Sequence, residues 1–174
     1  MQTWAKNVKN ALQMAGAQLA ALTAGDTAPY CYIYGGNGEV MTEKRVRALV
    51  KRYAKPHFDD LFKRTGKTVD DLVQYCDGKR GLDCSGFICL VTGAQQDLNS
   101  YGLINACKMR VQPSAGVAGS VLFKPGHVAL DLGAGMCAEF VEEFKDMQIN
   151  RIAERGFTIS GQLPWIDYRG ASNM

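Results

Sequence analysis

Long hydrophobic runs are missing from this sequence, and its net charge is low. No segment approaches the ~20 consecutive apolar residues of a transmembrane helix, so we expect no membrane span. The longest apolar stretch, residues 11–24, is interrupted by Gln13, Gly16 and Gln18 and is a poor signal-peptide core. We therefore expect a soluble protein that is made in the cytoplasm without a signal peptide. The net charge of +3 gives a weak overall field, which argues against wholesale binding of nucleic acid.

Histidine is scarce, and the cysteines lack the spacing of a zinc site. His57 and His127 are the only histidines, and no two cysteines form a CxxC pair, so a mixed metal site would need scattered ligands. A disulfide framework is typical of small secreted chains, and this chain is neither small nor visibly secreted. We expect no metal site and mostly reduced, buried cysteines. The six are Cys31, Cys76, Cys84, Cys89, Cys107 and Cys137.

The composition that is present is that of a globular domain. The chain has 174 residues, of which 47% are hydrophobic and 21% charged. These values exclude disorder as the main state and suit one domain over residues 1–174. Helical patterns dominate the first half, and strand patterns follow residue 118. Helices followed by a strand meander predict an α+β domain, with helices packed on an antiparallel sheet.

Three helices are predicted before residue 80. The first has an apolar face with three- and four-residue spacing, made of Trp4, Val8, Leu12, Ala15, Leu19 and Leu22. The second begins near Thr42 and ends near Tyr53, and Pro56 is expected to break or kink it. The third begins at Thr68, whose side chain is expected to cap it while Asp71 completes a capping box.

Five strands are predicted from residue 120 onward. They cover residues 120–123, 127–132, 136–141, 148–152 and 165–168. Gly133-Ala134-Gly135 is expected to form the hairpin turn between the second and the third.

Cys84 is the cysteine whose surroundings predict thiol chemistry. Asp83 is a suitable N-cap for a helix that begins at Cys84, and a helix N-terminus beside an imidazole lowers the pKa of a thiol. His127, at the start of an apolar strand, is the better general base, because His57 lies in a basic helical segment and is expected to be a solvated surface residue. Glu139 is a candidate to fix the imidazole tautomer; the alternative is an exposed strand carboxylate.

Three motifs, in order along the chain, resemble those of the NlpC/P60 cysteine peptidases, the papain-like bacterial cell-wall hydrolases. Residues 83–87 (DCSGF) resemble the nucleophile motif. Residues 119–135 resemble the block that carries the histidine strand and its turn, and residues 32–36 (YIYGG) match a Tyr-x-x-Gly-Gly element. The resemblance implies a papain-like α+β fold with N-terminal helices packed on a central antiparallel sheet.

The resemblance also implies roles for individual residues. The catalytic residues would be Cys84, His127 and Glu139, and the oxyanion and substrate-binding residues would be Tyr32, Asp83 and Ser85. In this assignment the thiol attacks a peptide carbonyl, the imidazole transfers the proton, and no metal or organic cofactor takes part.

The activity implied by the resemblance is cysteine endopeptidase cleavage of peptidoglycan stem peptides, often between D-glutamate and the third-position diamino acid. With neither an export signal nor wall-anchoring repeats, the chain resembles phage or prophage lysins and injected effectors, whose site of action is the cell wall. Two alternatives stay open: a thiol amidase or acyltransferase with another substrate, and a non-catalytic wall-binding module. A monomer is expected.

Residues 37–80 form an insertion before the nucleophile helix, where family members usually have a short loop. The insertion has its own predicted helices and a basic face between Lys44 and Lys55. We expect a folded helical subregion that borders the substrate groove, and the alternative is a surface decoration remote from it. An anionic wall polymer is the natural partner for the basic face, and nucleic acid is not, because no aromatic stacking pattern accompanies it.

Overall fold

The computed structural model, which describes residues 2–26, 28–145 and 147–171, is a mixed helix-and-sheet fold with its largest sheet in the second half. The helices are α1 (Trp4–Ala24), α2 (Glu43–Arg52), α3 (Asp59–Thr65), α4 (Val69–Cys76), α5 (Cys84–Thr92) and α6 (Ser100–Ala106). The strands are β1 (Gln2–Thr3), β2 (Tyr30–Tyr32), β3 (Asn37–Val40), β4 (Arg80–Leu82), β5 (Met109–Val111), β6 (Val121–Lys124), β7 (His127–Gly133), β8 (Met136–Glu139), β9 (Gln148–Arg151), β10 (Ile159–Gln162) and β11 (Ile166–Asp167). No helix in these ranges is long and apolar enough to cross a membrane.

The six-stranded sheet is antiparallel throughout, with the order β5-β10-β6-β7-β8-β9. The predicted hairpin joins β7 to β8 through Gly133-Ala134-Gly135, and all three residues have positive φ. Two further sheets complete the fold: β2 and β3 flank β4, and β1 pairs with β11. The strands β5 and β10 were not predicted, because neither shows a clear alternation of apolar and polar residues.

Two large apolar clusters make up most of the core of the described residues. The main cluster contains Phe87 and Val91 of α5, packed on Val128 and Leu130 of β7. The second is formed largely by the insertion, whose buried side chains cover Cys31 of β2 and Ile33, the residue after it. These side chains are Val46, Leu49, Phe58, Leu61, Leu72 and Cys76. The insertion is therefore packed on the rest of the chain through its own buried side chains.

The chain passes Pro56 without ending the helical path. Residues Ala54–Phe58 form a π-helical turn between α2 and α3, in which the His57 and Phe58 amides both donate to the Tyr53 carbonyl. A proline lacks the amide hydrogen that an α-helix needs, and a π-turn is one way to absorb that loss. Further along, the capping box predicted at Thr68 and Asp71 is confirmed in both of its hydrogen bonds.

The apolar face of α1 is not the face that the fold buries. The helix buries Asn7, Ala11, Met14 and Gln18, and leaves Leu12, Leu19 and Leu22 between 47% and 67% exposed. Gln18 explains the difference, since its amide donates to the Tyr30 carbonyl and accepts from the Tyr30 amide. A buried amide side chain that makes hydrogen bonds with both backbone groups of a strand residue avoids the free-energy cost of an unpaired polar group. Hydrophobic periodicity does not detect such a residue.

Gly86 is required by a close approach of two backbone segments. A Cβ at position 86 would lie 2.4 Å from the Gly36 carbonyl oxygen, which already accepts a hydrogen bond from the Asp83 amide. The YIYGG and DCSGF motifs therefore touch each other through their glycines, and the contact holds the start of α5 against the loop after β2.

We expect Gly86→Ala to lower the free energy of unfolding by about 1–3 kcal/mol, because backbone atoms must shift to admit the methyl group. Gly16→Ala is the matched control: it lies mid-helix in α1 with open space around its Cβ, and it should raise stability by about 0.5–1 kcal/mol. Urea denaturation measures both. Equal effects of the two substitutions would contradict the close approach.

Candidate active site

Asp83 organises the N-terminus of α5. Its carboxylate accepts hydrogen bonds from the Gly86 amide at 2.7 Å, the Ser85 hydroxyl at 2.8 Å and the Gly35 amide at 3.2 Å. This is the predicted N-cap, with a further bond to the glycine motif. Asp83 and Ser85 thus hold the helix start and the Gly35 loop in place, one residue to either side of Cys84.

Cys84 lies at the bottom of a cleft of about 390 Å³ and is 7% exposed. The cleft is lined by Tyr32, Tyr34, Gly35, Asn37, Tyr53, Asp83, Cys84, Ser85, Asp97, Asn99, Ser100, Tyr101 and Gly126. Four tyrosines and several small polar side chains therefore surround the thiol. Such a surface can accept hydrogen bonds from, and donate them to, a peptide backbone.

The thiol of Cys84 is not activated in the way the helix position predicts. Burial and the neighbouring Asp83 carboxylate raise the pKa of Cys84 to about 11, and the nearby Val128 and Ser85 amides only partly offset this. The expectation of a lowered pKa is therefore wrong for this structure. At neutral pH the sulfur carries its proton, and a nucleophilic attack needs a base to remove it.

His127 and Glu139 form the pair that the sequence predicts. His127 Nε2 lies 2.7 Å from Glu139 Oε2, across the β7–β8 pairing. Because an ionised carboxylate only accepts hydrogen bonds, Nε2 must carry the ring proton. In the neutral ring Nδ1 is then left as the proton acceptor. Glu139 is fully buried, so the alternative of an exposed strand carboxylate is excluded.

Glu139 is held in its charged form by three neighbours. Burial alone would raise its pKa, but hydrogen bonds from His127, Arg155 and Asn150 outweigh burial and lower the pKa of Glu139 to about 2. Arg155 Nε donates to Oε1 at 2.5 Å, and Asn150 Nδ2 donates to the same oxygen at 2.8 Å. Sequence reasoning missed both residues, since no motif marks them.

Strand β7 brings the predicted nucleophile, Cys84, close to the pair of His127 and Glu139. No hydrogen bond joins the Cys84 thiol to His127 in the described part of the chain. The amide of Val128, the residue after His127, lies beside the Cys84 sulfur instead. Helix α5, which begins at Cys84, packs on β7. The ring of Phe157 stacks on the other side of His127, with ring centroids 6.1 Å apart.

Tyr32 adds a hydroxyl to the cleft beside the sulfur. Burial and the proximity of Cys84 hold the pKa of Tyr32 well above its usual value, so the phenol stays protonated. Among the described residues, nothing accepts or donates a hydrogen bond at this hydroxyl. It is therefore a free donor next to Cys84.

The sequence suggested that His57 is a solvated surface residue, and the structure shows that it is not. Its Nε2 lies 2.9 Å from both carboxylate oxygens of Glu143, which is buried. The ring stacks on Tyr34 at 4.5 Å, and the Tyr34 amide donates to Glu143. This contact ties the π-helical turn of the insertion to the wall of the cleft, and Glu143 carries no sequence signal that predicts it.

The insertion reaches the cleft through Asn37 and Tyr53. Its basic side chains Lys44, Arg47, Lys51 and Arg52 are exposed on α2. Arg47 is engaged by Glu43 and Asp70. The guanidinium of Arg52 lies 5.2 Å from the centre of the Tyr53 ring, at the edge of the cleft.

Metal coordination finds no support in the geometry. Over the described ranges, no three or more His, Cys, Asp or Glu side chains are grouped so that they could hold a metal ion.

Comparisons with known proteins gave matches among solved structures only. The sequence matches no protein-family model, and no curated protein matches it significantly. Among solved structures, the chain is similar to one described as "Crystal structure of NlpC/p60 domain of peptidoglycan hydrolase SagA". The match has a TM-score of 0.41 and 23% sequence identity, and it covers 48% of this chain and 78% of that one.

The lowered pKa of Glu139 predicts a specific loss of stability in acid. A carboxyl group with a depressed folded-state pKa stabilises the fold above its unfolded pKa, and this contribution disappears as the pH falls from about 4.5 to about 2. The difference corresponds to about 3 kcal/mol. In Glu139→Gln the stability curve should be flatter over this range and lower at neutral pH.

Urea denaturation at a series of pH values measures this contribution. Glu154→Gln, at an exposed position, is the control and should follow the wild-type curve. An acid limb as steep in Glu139→Gln as in wild type would show that Glu139 is not the titrating group.

Proposed function

We propose that this chain is a cysteine peptidase that hydrolyses peptidoglycan stem peptides through Cys84, His127 and Glu139. The observation that carries the proposal is the buried, ionised Glu139, which holds Nε2–H of His127 and so leaves Nδ1 as a base on the strand that packs against the thiol. A fully buried carboxylate with three donors, one of which is a histidine ring, is suited to support proton transfer by that ring.

Acylation begins with a proton transfer. Cys84 is a neutral thiol, so His127 Nδ1 takes its proton as the sulfur attacks the peptide carbonyl and a C–S bond forms. Glu139 stabilises the resulting imidazolium. The imidazolium then gives the proton to the amine nitrogen as the C–N bond breaks, and the acyl group stays on sulfur. Catalytic hydrogen bonds often tighten only in the substrate complex, which accommodates the missing Cys84–His127 bond.

Deacylation uses the same groups in the reverse sense. His127 Nδ1 takes a proton from water while the oxygen attacks the thioester carbonyl. The C–S bond breaks, the proton returns to the sulfur, and a carboxylic acid product leaves. Neither half-reaction involves an oxidation or a reduction.

Two donors are available for the oxyanion. The Cys84 amide, at the start of α5, has no partner within the helix, and the Tyr32 hydroxyl is a free donor in the same cleft. Donors fixed before the reaction stabilise developing negative charge without reorganisation.

The substrate assignment is supported by the motifs of residues 32–36, 83–87 and 119–135, which resemble those of peptidoglycan-cleaving NlpC/P60 peptidases. The tyrosine-lined cleft is compatible with an extended peptide. Cleavage between D-glutamate and the diamino acid, action of a lysin or effector type at the wall, and contact of α2 with an anionic wall polymer are part of the same proposal.

Digestion of purified sacculi, followed by mass spectrometry of released muropeptides, tests this function. We expect no release by Cys84→Ala and a loss of ~10²–10⁴-fold for His127→Ala, since proton transfer supplies about that much. Cys89→Ala, a half-buried thiol five residues along the same helix, is the matched control and should cleave like wild type. Release by Cys84→Ala at the wild-type rate would overturn the proposal.

Tyr53 should affect substrate binding more than chemistry. It lines the cleft from the insertion, packs edge-on against Tyr34 at 5.1 Å, and lies where a side chain on Gly35 would be. We expect Tyr53→Ala to raise KM about 5–50-fold with a smaller change in kcat, as removal of uniform binding does.

Tyr75→Ala is the control for this effect, because Tyr75 belongs to the same insertion but contacts Phe144 and does not line the cleft. Steady-state hydrolysis of a stem peptide measures both constants. Unchanged kinetics in Tyr53→Ala would place the insertion outside substrate recognition.

A further inference from the structure

Cys31 and Cys76 are two thiols that meet inside the apolar cluster of the insertion. Cys31 lies in β2, Cys76 is the last residue of α4, and both are 0% exposed. Helix α4 packs on β2, and the two side chains belong to the same buried cluster. Both cysteines are free thiols in the structure, and they are hydrogen-bonded to each other. Their sulfur atoms are therefore neighbours.

The hydrogen bonds of three other cysteines differ from those of this pair. Each of the three donates its thiol proton to a backbone carbonyl rather than to a second sulfur. These bonds run from Cys89 to Leu98 at 3.6 Å, from Cys107 to Leu103 at 3.3 Å and from Cys137 to Asn150 at 3.5 Å. The fold therefore places Cys31 and Cys76 as partners of each other, while these three thiols are satisfied by the main chain.

We propose that Cys31 and Cys76 are joined by a structural disulfide bond when the chain folds in an oxidising environment. The two side chains already converge from a packed helix and strand, so the bond needs no rearrangement of the elements that carry them. The other cysteines stay reduced, as the sequence predicts for most of the six. The site of action that we propose, the cell wall, lies outside the cytoplasm, where disulfides persist.

The bond closes a loop around the insertion. Residues 31–76 include almost all of the insertion at 37–80, and a disulfide stabilises a fold mainly by restricting the unfolded chain, more so when the loop is long. Cys31 precedes Tyr32, which lines the cleft, and the insertion supplies Tyr53 to the same cleft. The disulfide thus fastens the insertion to the strand that carries the opposite wall of the cleft.

The bond forms by exchange with a small disulfide, R–S–S–R, such as oxidised glutathione. The thiolate of one cysteine attacks a sulfur of the reagent, and RS⁻ leaves. The thiolate of the other cysteine then attacks the protein sulfur of this mixed disulfide, and a second RS⁻ leaves. The two cysteines together lose two electrons and two protons, and the reagent is reduced to two molecules of RSH.

Burial determines when this exchange takes place. The contact with Cys31 and burial raise the pKa of Cys76, and the nearby Lys79 ammonium opposes them only in part. A protonated thiol with no exposed surface reacts slowly, because the thiolate is the nucleophile. The disulfide therefore forms while the chain is folding, before α4 covers β2.

Refolding of the full chain in a glutathione redox buffer tests the proposal. After alkylation without reduction, peptide mapping by mass spectrometry should find the Cys31 and Cys76 peptides joined, with two hydrogen atoms fewer than the separate peptides. The other four cysteines should carry the alkyl group. Alkylation of both Cys31 and Cys76, or linkage of either one to a different cysteine, overturns the proposal.

Thermal denaturation of each refolded protein, with and without a phosphine reductant, measures the effect of the bond. Reduction should lower the Tm of wild type by about 5–15 °C. Cys31→Ala and Cys76→Ala should show no change on reduction, and each variant is compared with itself, so its own stability does not enter. Cys107→Ala removes a buried thiol that donates to a carbonyl, and as the matched control it should show the wild-type shift.

A wild-type Tm that does not respond to the reductant overturns the proposal. A shift that persists in Cys31→Ala or Cys76→Ala overturns it as well, since another pair of cysteines would then carry the bond. None of these results depends on peptidase activity, so the proposed disulfide and the proposed function can fail separately.

Discussion

The arrangement of the candidate site depends on one buried negative charge, that of Glu139. The carboxylate has no contact with solvent and stays ionised because His127, Asn150 and Arg155 all donate to it. These residues come from β7, β9 and the segment after the 3₁₀ turn at Ile152–Glu154, so a single anion joins two strands of the sheet to the segment that follows them. A buried charge without such partners would cost several kcal/mol. The same contacts orient the imidazole, so the residues that stabilise this part of the fold also position the candidate base.

On the other side of the cleft, a second constraint fixes the thiol. Asp83 caps α5 and also binds the Gly35 amide, while Gly86 lets the Gly36 carbonyl approach closely. This arrangement fixes the position of Cys84. The position is buried and lies beside a carboxylate, and both features raise the pKa of the Cys84 thiol. The thiol is therefore a nucleophile only after a base has removed its proton. The proposed reaction then depends on the orientation of His127, which the surrounding residues maintain.

Several features of the fold and of the site were predicted from local signals. The N-cap at Asp83, the capping box at Thr68 and the glycine turn at 133–135 each depend on a few neighbouring residues, and the structure confirms them. Arg155, Asn150 and Glu143 were not predictable, because long-range pairing brings them to Glu139 and His57 without any motif. The buried face of α1 does not follow from its apolar residues for a related reason: the hydrogen bonds of Gln18 to Tyr30 outweigh hydrophobic periodicity, and they exist only in the folded chain.

The proposed mechanism requires that Cys84 is acylated by a peptide after His127 removes its proton. Rapid acid quench of a reaction with a peptidoglycan stem peptide, followed by peptide mapping and mass spectrometry, observes this intermediate directly. We expect a thioester on Cys84 that forms with wild type and is lost, together with turnover, in His127→Ala. Turnover with no acyl group on Cys84, or an acyl group on another cysteine, would contradict it.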